Sequence, residues 1–326
     1  MARLRWGLMG TARINRAIIG ALRQFDRGEL RAVASRQPET AASYAAEWDI
    51  PHAVSPYEAL LARDDIDAIY IGLPNSMHVE WTVRALDAGK HVLCEKPLAL
   101  TPDGVDEIAR AAERNNRVAA EGFMYRHHPL THAVLDVVRR GELGTIRLIR
   151  GAFTFLLAGR NPDIRTDRGL GGGSLWDVGC YPASYACLLE DAEPVEVFGC
   201  QVADASGVDM TFAGIMRFGS GVLASFDSGF QSTFRAEMEV VGSDGLLRID
   251  RPFKAGPESR LMLIRGTEES TLSFPPAPPY AGELADFTGA VLDRTPHPLP
   301  LRESRRTARV LAALYASAAA SHPVRL

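Results

Sequence analysis

The chain has 326 residues, 46% of them hydrophobic and 23% charged, with a formal net charge of -4. That length favours two domains with cores of ordinary size, and the composition excludes a disordered chain. No basic stripe points to nucleic acid, and no run of about 18 apolar residues points to a membrane span.

Cys94, Cys180, Cys187 and Cys200 show neither CxxC nor zinc-ribbon spacing, so buried free thiols in a reducing compartment are expected. The N-terminal MARLRWGLMG lacks the apolar region of a signal peptide, and the expected location is cytoplasmic.

In chain order, LRWGLMG reads as a strand, 13–25 as a helix, LRAVASR as a strand, 38–48 as a helix and AIYIGLP as a strand. A helix over 76–88, the strand HVLCEKP, a helix over 102–115 and the strand RVAAEGF continue the alternation. Short apolar strands joined by helical crossovers predict a doubly wound parallel sheet, the Rossmann form of α/β, over residues 1–122.

Beyond this point the pattern changes. A helix over 129–140 precedes strands at TIRLIRGAFTF, VEVFGCQV, MTFAGIMRF, GVLASFDSGF, RAEMEVVG and GLLRID. Gly219-Ser220-Gly221 and Ser243-Asp244-Gly245 punctuate hairpins, so residues 123–326 are expected to form an α+β domain with a large, mostly antiparallel open sheet. In GVLASFDSGF, Val222, Ala224, Phe226 and Phe230 alternate onto one face, leaving the other face to meet a partner. SFPPAPPY reads as a rigid surface loop, and helices over 282–293 and 303–320 are candidates to pack back on the first domain.

GLMGTARIN falls where the first strand turns into the first helix, where backbone N–H groups and the helix dipole hold a pyrophosphate. Against GxGxxG, Gly10 fits, Ala12 replaces the second glycine and Asn15 the third, and a ligand-free tight turn would use the same glycine. The second strand ends in Ser35-Arg36, which suits a 2'-phosphate better than a ribose hydroxyl, so NADP is preferred with NAD possible; the alternative is a solvated arginine. LPNSMH and CEKP stand at two further strand ends, so Pro74, Asn75, His78, Glu95 and Lys96 should border the same crevice. A surface lysine in a turn is the plain alternative for Lys96.

GGGSLWDVGCYP opens with three costly glycines and leads through Ser174, a good helix N-cap, into a helix over 175–190. That helix would place Asp177 and Tyr181 four apart on one face, with Pro182 kinking or resetting it just after Tyr181. Asp177 as a dipole partner and Tyr181 as a core aromatic is the other reading. Arg165 and Arg168 in the preceding GRNPDIRTDRG either reach substrate or are solvated loop charges.

Taken together, LMGTARIN, the EKP of 95–97, EGFMYRHHP from Glu121 and GGGSLWDVGCYP resemble the Gfo/Idh/MocA family of NAD(P)-dependent oxidoreductases over almost the whole chain, its aldose and dihydrodiol members most of all. The resemblance implies hydride transfer between nicotinamide and a sugar or related polyhydroxylated small molecule. Its cofactor set falls on Gly10, Thr11, Ala12, Arg13, Ile14, Ser35, Arg36, Leu73, Pro74, Asn75, His78, Glu95, Lys96 and Glu121. Lys96, Asp177 and Tyr181 would meet at the reacting oxygen, with Tyr125, Arg126, His127 and Arg165 around the substrate. Tyrosine rather than histidine at the last catalytic position points to the sugar and dihydrodiol members. A free phenol, with pKa about 10, is a poor base at neutral pH, and a neighbouring ammonium favours the phenolate. Asp177 would orient the substrate hydroxyl and Lys96.

The resemblance further implies a cis Lys96–Pro97 bond that aims Lys96 into the crevice, a homodimer or homotetramer built through the second sheet, and no metal, although His127, His128 and His132 cluster in sequence. Alternatives are an oxidoreductase of dihydrodiols or other non-sugar carbonyls, and a noncatalytic dinucleotide-binding regulator.

Overall fold

In the computed structural model, which describes residues 2–157 and 163–326, the chain divides into two units, Met1–His127 with Tyr280–Arg305 and His128–Pro279 with Arg306–Leu326.

The first unit alternates β1 (Leu4–Met9), α1 (Asn15–Arg23), β2 (Gly28–Ala34), α2 (Pro38–Glu47), β3 (His52–Val54), α3 (Tyr57–Leu61), β4 (Ala68–Ile71), α4 (His78–Asp87), β5 (His91–Glu95), α5 (Pro102–Asn115) and β6 (Ala119–Gly122). Its described strands form one parallel sheet in the order β3-β2-β1-β4-β5-β6. The predicted Rossmann sheet is therefore present. β3 and α3 are additions that the sequence pattern did not reveal: β3 is a three-residue edge strand whose first two residues are exposed, so it lacks an apolar run. The strands read from sequence are apolar because both faces are covered, and all four residues of β4 are buried. Lys96–Pro97 is cis, as the resemblance implied, and Ser55–Pro56 is cis too.

Parallel register sets one level across this sheet. Met9 pairs with Ala34 on one side and Ile71 on the other, Ile71 with Cys94, and Cys94 with Glu121. The late segment of this unit, with α8 (Ala281–Leu292), is tied in by Phe287 against Trp6 (5.1 Å between ring centroids) and by a two-pronged ion pair of Arg27 with Asp293 (2.7 and 2.8 Å).

The second unit holds α6 (Pro129–Arg139), β7 (Ile146–Leu156), α7 (Cys180–Glu190), β8 (Pro194–Ala203), β9 (Asp209–Phe218), β10 (Leu223–Gly229), β11 (Gln231–Gly242), β12 (Leu246–Asp250), β13 (Arg260–Arg265), β14 (Glu268–Leu272) and β15 (Val324–Arg325). The helix α9 (Leu301–Ala320) begins in the first unit and ends in the second. The described strands make a sheet in the order β14-β13-β12-β11-β7-β10-β9-β8-β15, antiparallel except for the β7–β10 pair. Val222, Ala224, Phe226 and Phe230 are all buried, while Leu223 between them is 42% exposed.

Two expectations need correction. The segment over 175–190 is not one α-helix but a π-helical turn at Leu175–Gly179 followed by α7, because Pro182 has no N–H to return to the carbonyl four residues back. Cys200 is exposed, while the other three free cysteines are buried. Close approach of α7 to the sheet requires Gly151: a side chain there would meet Met238 and come within 2.7 Å of Pro182. Gly151→Val should accordingly lower unfolding stability by about 1–3 kcal/mol. Gly20→Ala, in the open interior of α1, should raise it by about 0.5–1 kcal/mol. Urea unfolding of both variants measures the contrast.

Candidate active site

In the first unit the turn after β1 is built around Gly10, whose φ of +93° suits glycine and whose missing side chain leaves room for Leu73 2.9 Å away. Asn15, at the position of the third motif glycine, donates from Nδ2 to the Gly10 carbonyl at 2.8 Å in a fully buried setting. Its Oδ1 fills the space where a side chain on Gly72 would begin, 2.8 Å away. The degenerate motif is thus a clamped turn. The N–H groups of residues 11–14 stand ahead of the α1 ladder, where the first turn of a helix leaves its donors without intrahelical partners. A glycine-only turn opening a helix fits the pyrophosphate of a dinucleotide.

The other expected residues of this unit fall into two groups. Ser35 follows β2, with Oγ accepting from the Gln37 N–H at 3.4 Å, and Arg36 is exposed. Leu73, Pro74 and Asn75 follow β4, and Lys96, half-buried, follows β5. These stand just beyond the carboxyl ends of the strands. Glu95 is held by the Tyr70 hydroxyl on Oε1 and by the Lys96 N–H on Oε2 at 3.3 Å.

The second group is engaged by partners within the protein. His78 is fully buried with each ring nitrogen 2.8 Å from a backbone carbonyl, those of Leu73 and Pro97, so its ring sits between the loops after β4 and β5. Burial holds its pKa below the usual histidine range. Glu121 accepts from the Leu98 N–H at 2.9 Å and is buried, which raises its carboxyl pKa; it supports the turn after Pro97. Arg126 is committed to Glu303 at 2.6 Å, His127 Nδ1 lies 2.7 Å from Asp286, and Tyr125 sits edge-on to Phe123 with 1% exposure. Arg126 and His127, expected beside the substrate, also anchor the late segment through Glu303 and Asp286.

In the second unit the glycines have a packing reason. Gly171 and Gly173 have positive φ, and a side chain on Gly173 would meet Asp209 and, at 2.5 Å, the Tyr315 hydroxyl. Ser174 does not cap the following helix. The cap is Asp209, whose Oδ2 accepts from the Leu175 N–H and the Ser174 hydroxyl, both at 2.8 Å, while Oδ1 accepts from Tyr315 at 2.6 Å. Burial raises the Asp209 carboxyl pKa and these donors pull it back down.

The π turn held this way carries Asp177. Arg165 Nε donates to Asp177 Oδ2 at 2.8 Å and its Nη1 to Asp163 Oδ1 at 3.2 Å, so Arg165 orients the carboxylate. Arg168 is exposed, and the Gly159–Pro162 part of that loop lies outside the described residues. Tyr181, 3% exposed, has Phe153 and Phe253 beside its ring, each 5.4 Å between centroids. His128 caps α6, accepting from the Leu130 N–H at 3.1 Å. Among the described residues no cluster of His, Cys, Asp and Glu could hold a metal ion, and no helix is long and apolar enough to cross a membrane.

Asn15, Asp163, Asp209 and Tyr315 escaped sequence reasoning. Asp163, two residues before Arg165, was within reach of it; Asp209 and Tyr315 meet their partners only through long-range folding.

Residues 4–123 match the oxidoreductase family model with an NAD-binding Rossmann fold, and residues 131–248 match the C-terminal domain model of the same family. The chain belongs to the Gfo/Idh/MocA family of oxidoreductases. It is 36% identical to D-xylose 1-dehydrogenase (NADP(+)) 2 of Haloferax volcanii, over 98% of this chain and 99% of the relative. It is 29% identical to trans-1,2-dihydrobenzene-1,2-diol dehydrogenase of Xenopus laevis, over 81% and 79% of the two chains. Among solved structures, a 3-ketoreductase from Actinomadura kijaniata in complex with NADP and TDP-benzene superposes with a TM-score of 0.90 at 30% identity, covering 97% of this chain and 98% of that one.

Asp209→Ala should cost about 2–4 kcal/mol, since it strands several buried donors, whereas Tyr315→Phe should cost about 1 kcal/mol. Equilibrium unfolding of the two variants checks this order.

Proposed function

We propose that the protein is an NADP-preferring oxidoreductase that transfers a hydride between nicotinamide and a hydroxyl-bearing carbon of a sugar or related polyhydroxylated small molecule. The observation that carries this reading is the shared carboxyl edge of one parallel sheet, where the clamped Gly10 turn follows β1 and Lys96 follows β5. Ligands of open α/β sheets bind at that edge. Sugar-acting, NADP-named relatives such as the xylose dehydrogenase support the substrate class and the cofactor.

Residues 1–122 serve the dinucleotide, and the substrate and assembly fall to residues 123–326 apart from Tyr280–Arg305, which belong to the first unit. Gly10 through Ile14 receive the pyrophosphate, Ser35 and Arg36 the 2'-phosphate, and Leu73, Pro74 and Asn75 border the rest. The bound nicotinamide supplies hydride exchange. Tyr181 moves the proton of the reacting hydroxyl, Lys96 donates to that oxygen and favours the phenolate by its charge, and Asp177, oriented by Arg165, fixes the hydroxyl. This division of labour rests on family membership and on the chemistry of the three groups. The protein is assigned to the cytoplasm, in line with free thiols at Cys94, Cys180, Cys187 and the exposed Cys200, and to a homodimer or homotetramer through the open face of the second sheet, where Ile215 and Leu223 are 50% and 42% exposed. A single species of monomer mass in light scattering would overturn the assembly.

The aromatic rings of Phe153 and Phe253 packed beside Tyr181 favour a dihydrodiol as the second reading. A panel of aldoses, ketoses and dihydrodiols with NADP separates the two, and turnover of none of them would overturn both.

Arg36→Ala should weaken NADP by roughly tenfold to a hundredfold and leave NAD nearly unaffected, because one charge-assisted contact is worth about 1.5–3 kcal/mol. Dissociation constants for the two cofactors test it. Tyr181→Phe should cut turnover by roughly a hundredfold to ten-thousandfold while NADPH affinity holds, the usual loss for a positioned proton-transfer group. Near-normal turnover in that variant would place the acid/base elsewhere.

A further inference from the structure

Helix α8 carries a carboxyl where its pattern asks for an apolar side chain. Glu283 shares the buried stripe with Leu284 and Phe287, and each is at most 1% exposed. Among the described residues neither carboxyl oxygen of Glu283 has a hydrogen-bond partner. Glu95 at the end of β5, Tyr70 on β4 and Tyr280 just before α8 lie within electrostatic range of it.

Glu95 is the member joined to the lysine turn, accepting from the Tyr70 hydroxyl and from the Lys96 N–H at 3.3 Å. Burial and the field of Glu95 push both phenols up, so they remain neutral donors. Burial, with the field of Glu95 added, also pushes Glu283 well above the carboxylate range. A fully buried carboxyl beside the field of a half-buried one does not ionise readily. Glu95 has donors that favour its anion and Glu283 has none, so the proton belongs on Glu283.

We propose that Glu283 is a positioning residue for Lys96, an uncharged buried acid that leaves Glu95 ionised and keeps the turn bearing the lysine in place. The proposal rests on the assignment of Lys96 to the reacting oxygen. Loss of the Glu283 proton sets two anions against each other, draws Glu95 from Tyr70 and releases the turn.

The sign of the pH effect follows. A carboxyl whose pKa is higher folded than unfolded keeps a proton that the unfolded chain gives up, so stability falls as pH rises from about 4.3 toward the folded value. Glu283→Gln and the apolar Glu283→Met retain bulk without an ionisable group. Melting temperature and kcat of the NADPH-saturated protein are measured from about pH 5 to about pH 9 for the wild type and both variants. Each variant should gain stability relative to wild type as pH rises, the alkaline limb of kcat should move up, and a protonated-carboxyl infrared band of the wild type should vanish. Parallel stability curves with an unmoved alkaline limb, in whichever variant folds, would overturn the proposal. Lys96→Met, measured alongside, separates the failures: full activity there overturns the role of Lys96, while an inactive Lys96→Met with parallel Glu283 curves overturns that of Glu283.

Discussion

Parallel pairing of β1 with β2 on one side and β4 on the other is the constraint on which the first unit depends. Strand order reverses at β1, and parallel strands deliver every carboxyl end to the same edge. The row Met9, Ala34, Ile71, Cys94 and Glu121 is the last level shared by five strands. Gly10, Ser35, Leu73 and Lys96 all follow that row within two residues, although they are far apart in the chain. Strand burial makes the level robust, since a slip of one residue would exchange the two covered faces of a strand.

What lies behind that edge is as polar as what lies on it. His78 joins the loops after β4 and β5 through two carbonyls, and Glu121 holds the turn after Pro97 through a backbone N–H. Such groups stay buried because each has a partner that water no longer supplies. Glu283 departs from this rule, which is why its proton becomes the question. In the second unit Asp209 does for the π turn what His78 does for the loops: it gathers three donors at the start of the segment that carries Asp177.

The elements were legible where burial writes a local pattern. Apolar runs between helical crossovers revealed five of the six strands of the parallel sheet, and the Gly219 and Ser243 turns marked hairpins that the sheet contains as β9–β10 and β11–β12. The π turn was half visible: Pro182 announced an irregularity, but the sequence could not say that the helix would widen before the proline rather than bend after it. Polar residues were found as types without their partners. Arg126, His127, His78 and Glu121 were expected to face ligand, and each is engaged by a group brought from elsewhere in the chain, Glu303, Asp286, Leu73 with Pro97, and Leu98. Asn15 was legible only as a missing glycine, yet its side chain closes the turn that a glycine would have left open.

In the proposed function Lys96 and Tyr181 act on one oxygen as a unit. Turnover of Lys96→Met, Tyr181→Phe and the double variant, each saturated with NADPH, tests it most directly. The expected result is strong non-additivity, with the double variant no more than about tenfold slower than the slower single variant. Losses that multiply in the double variant would contradict the account, because two groups that contribute independently do not share one proton transfer.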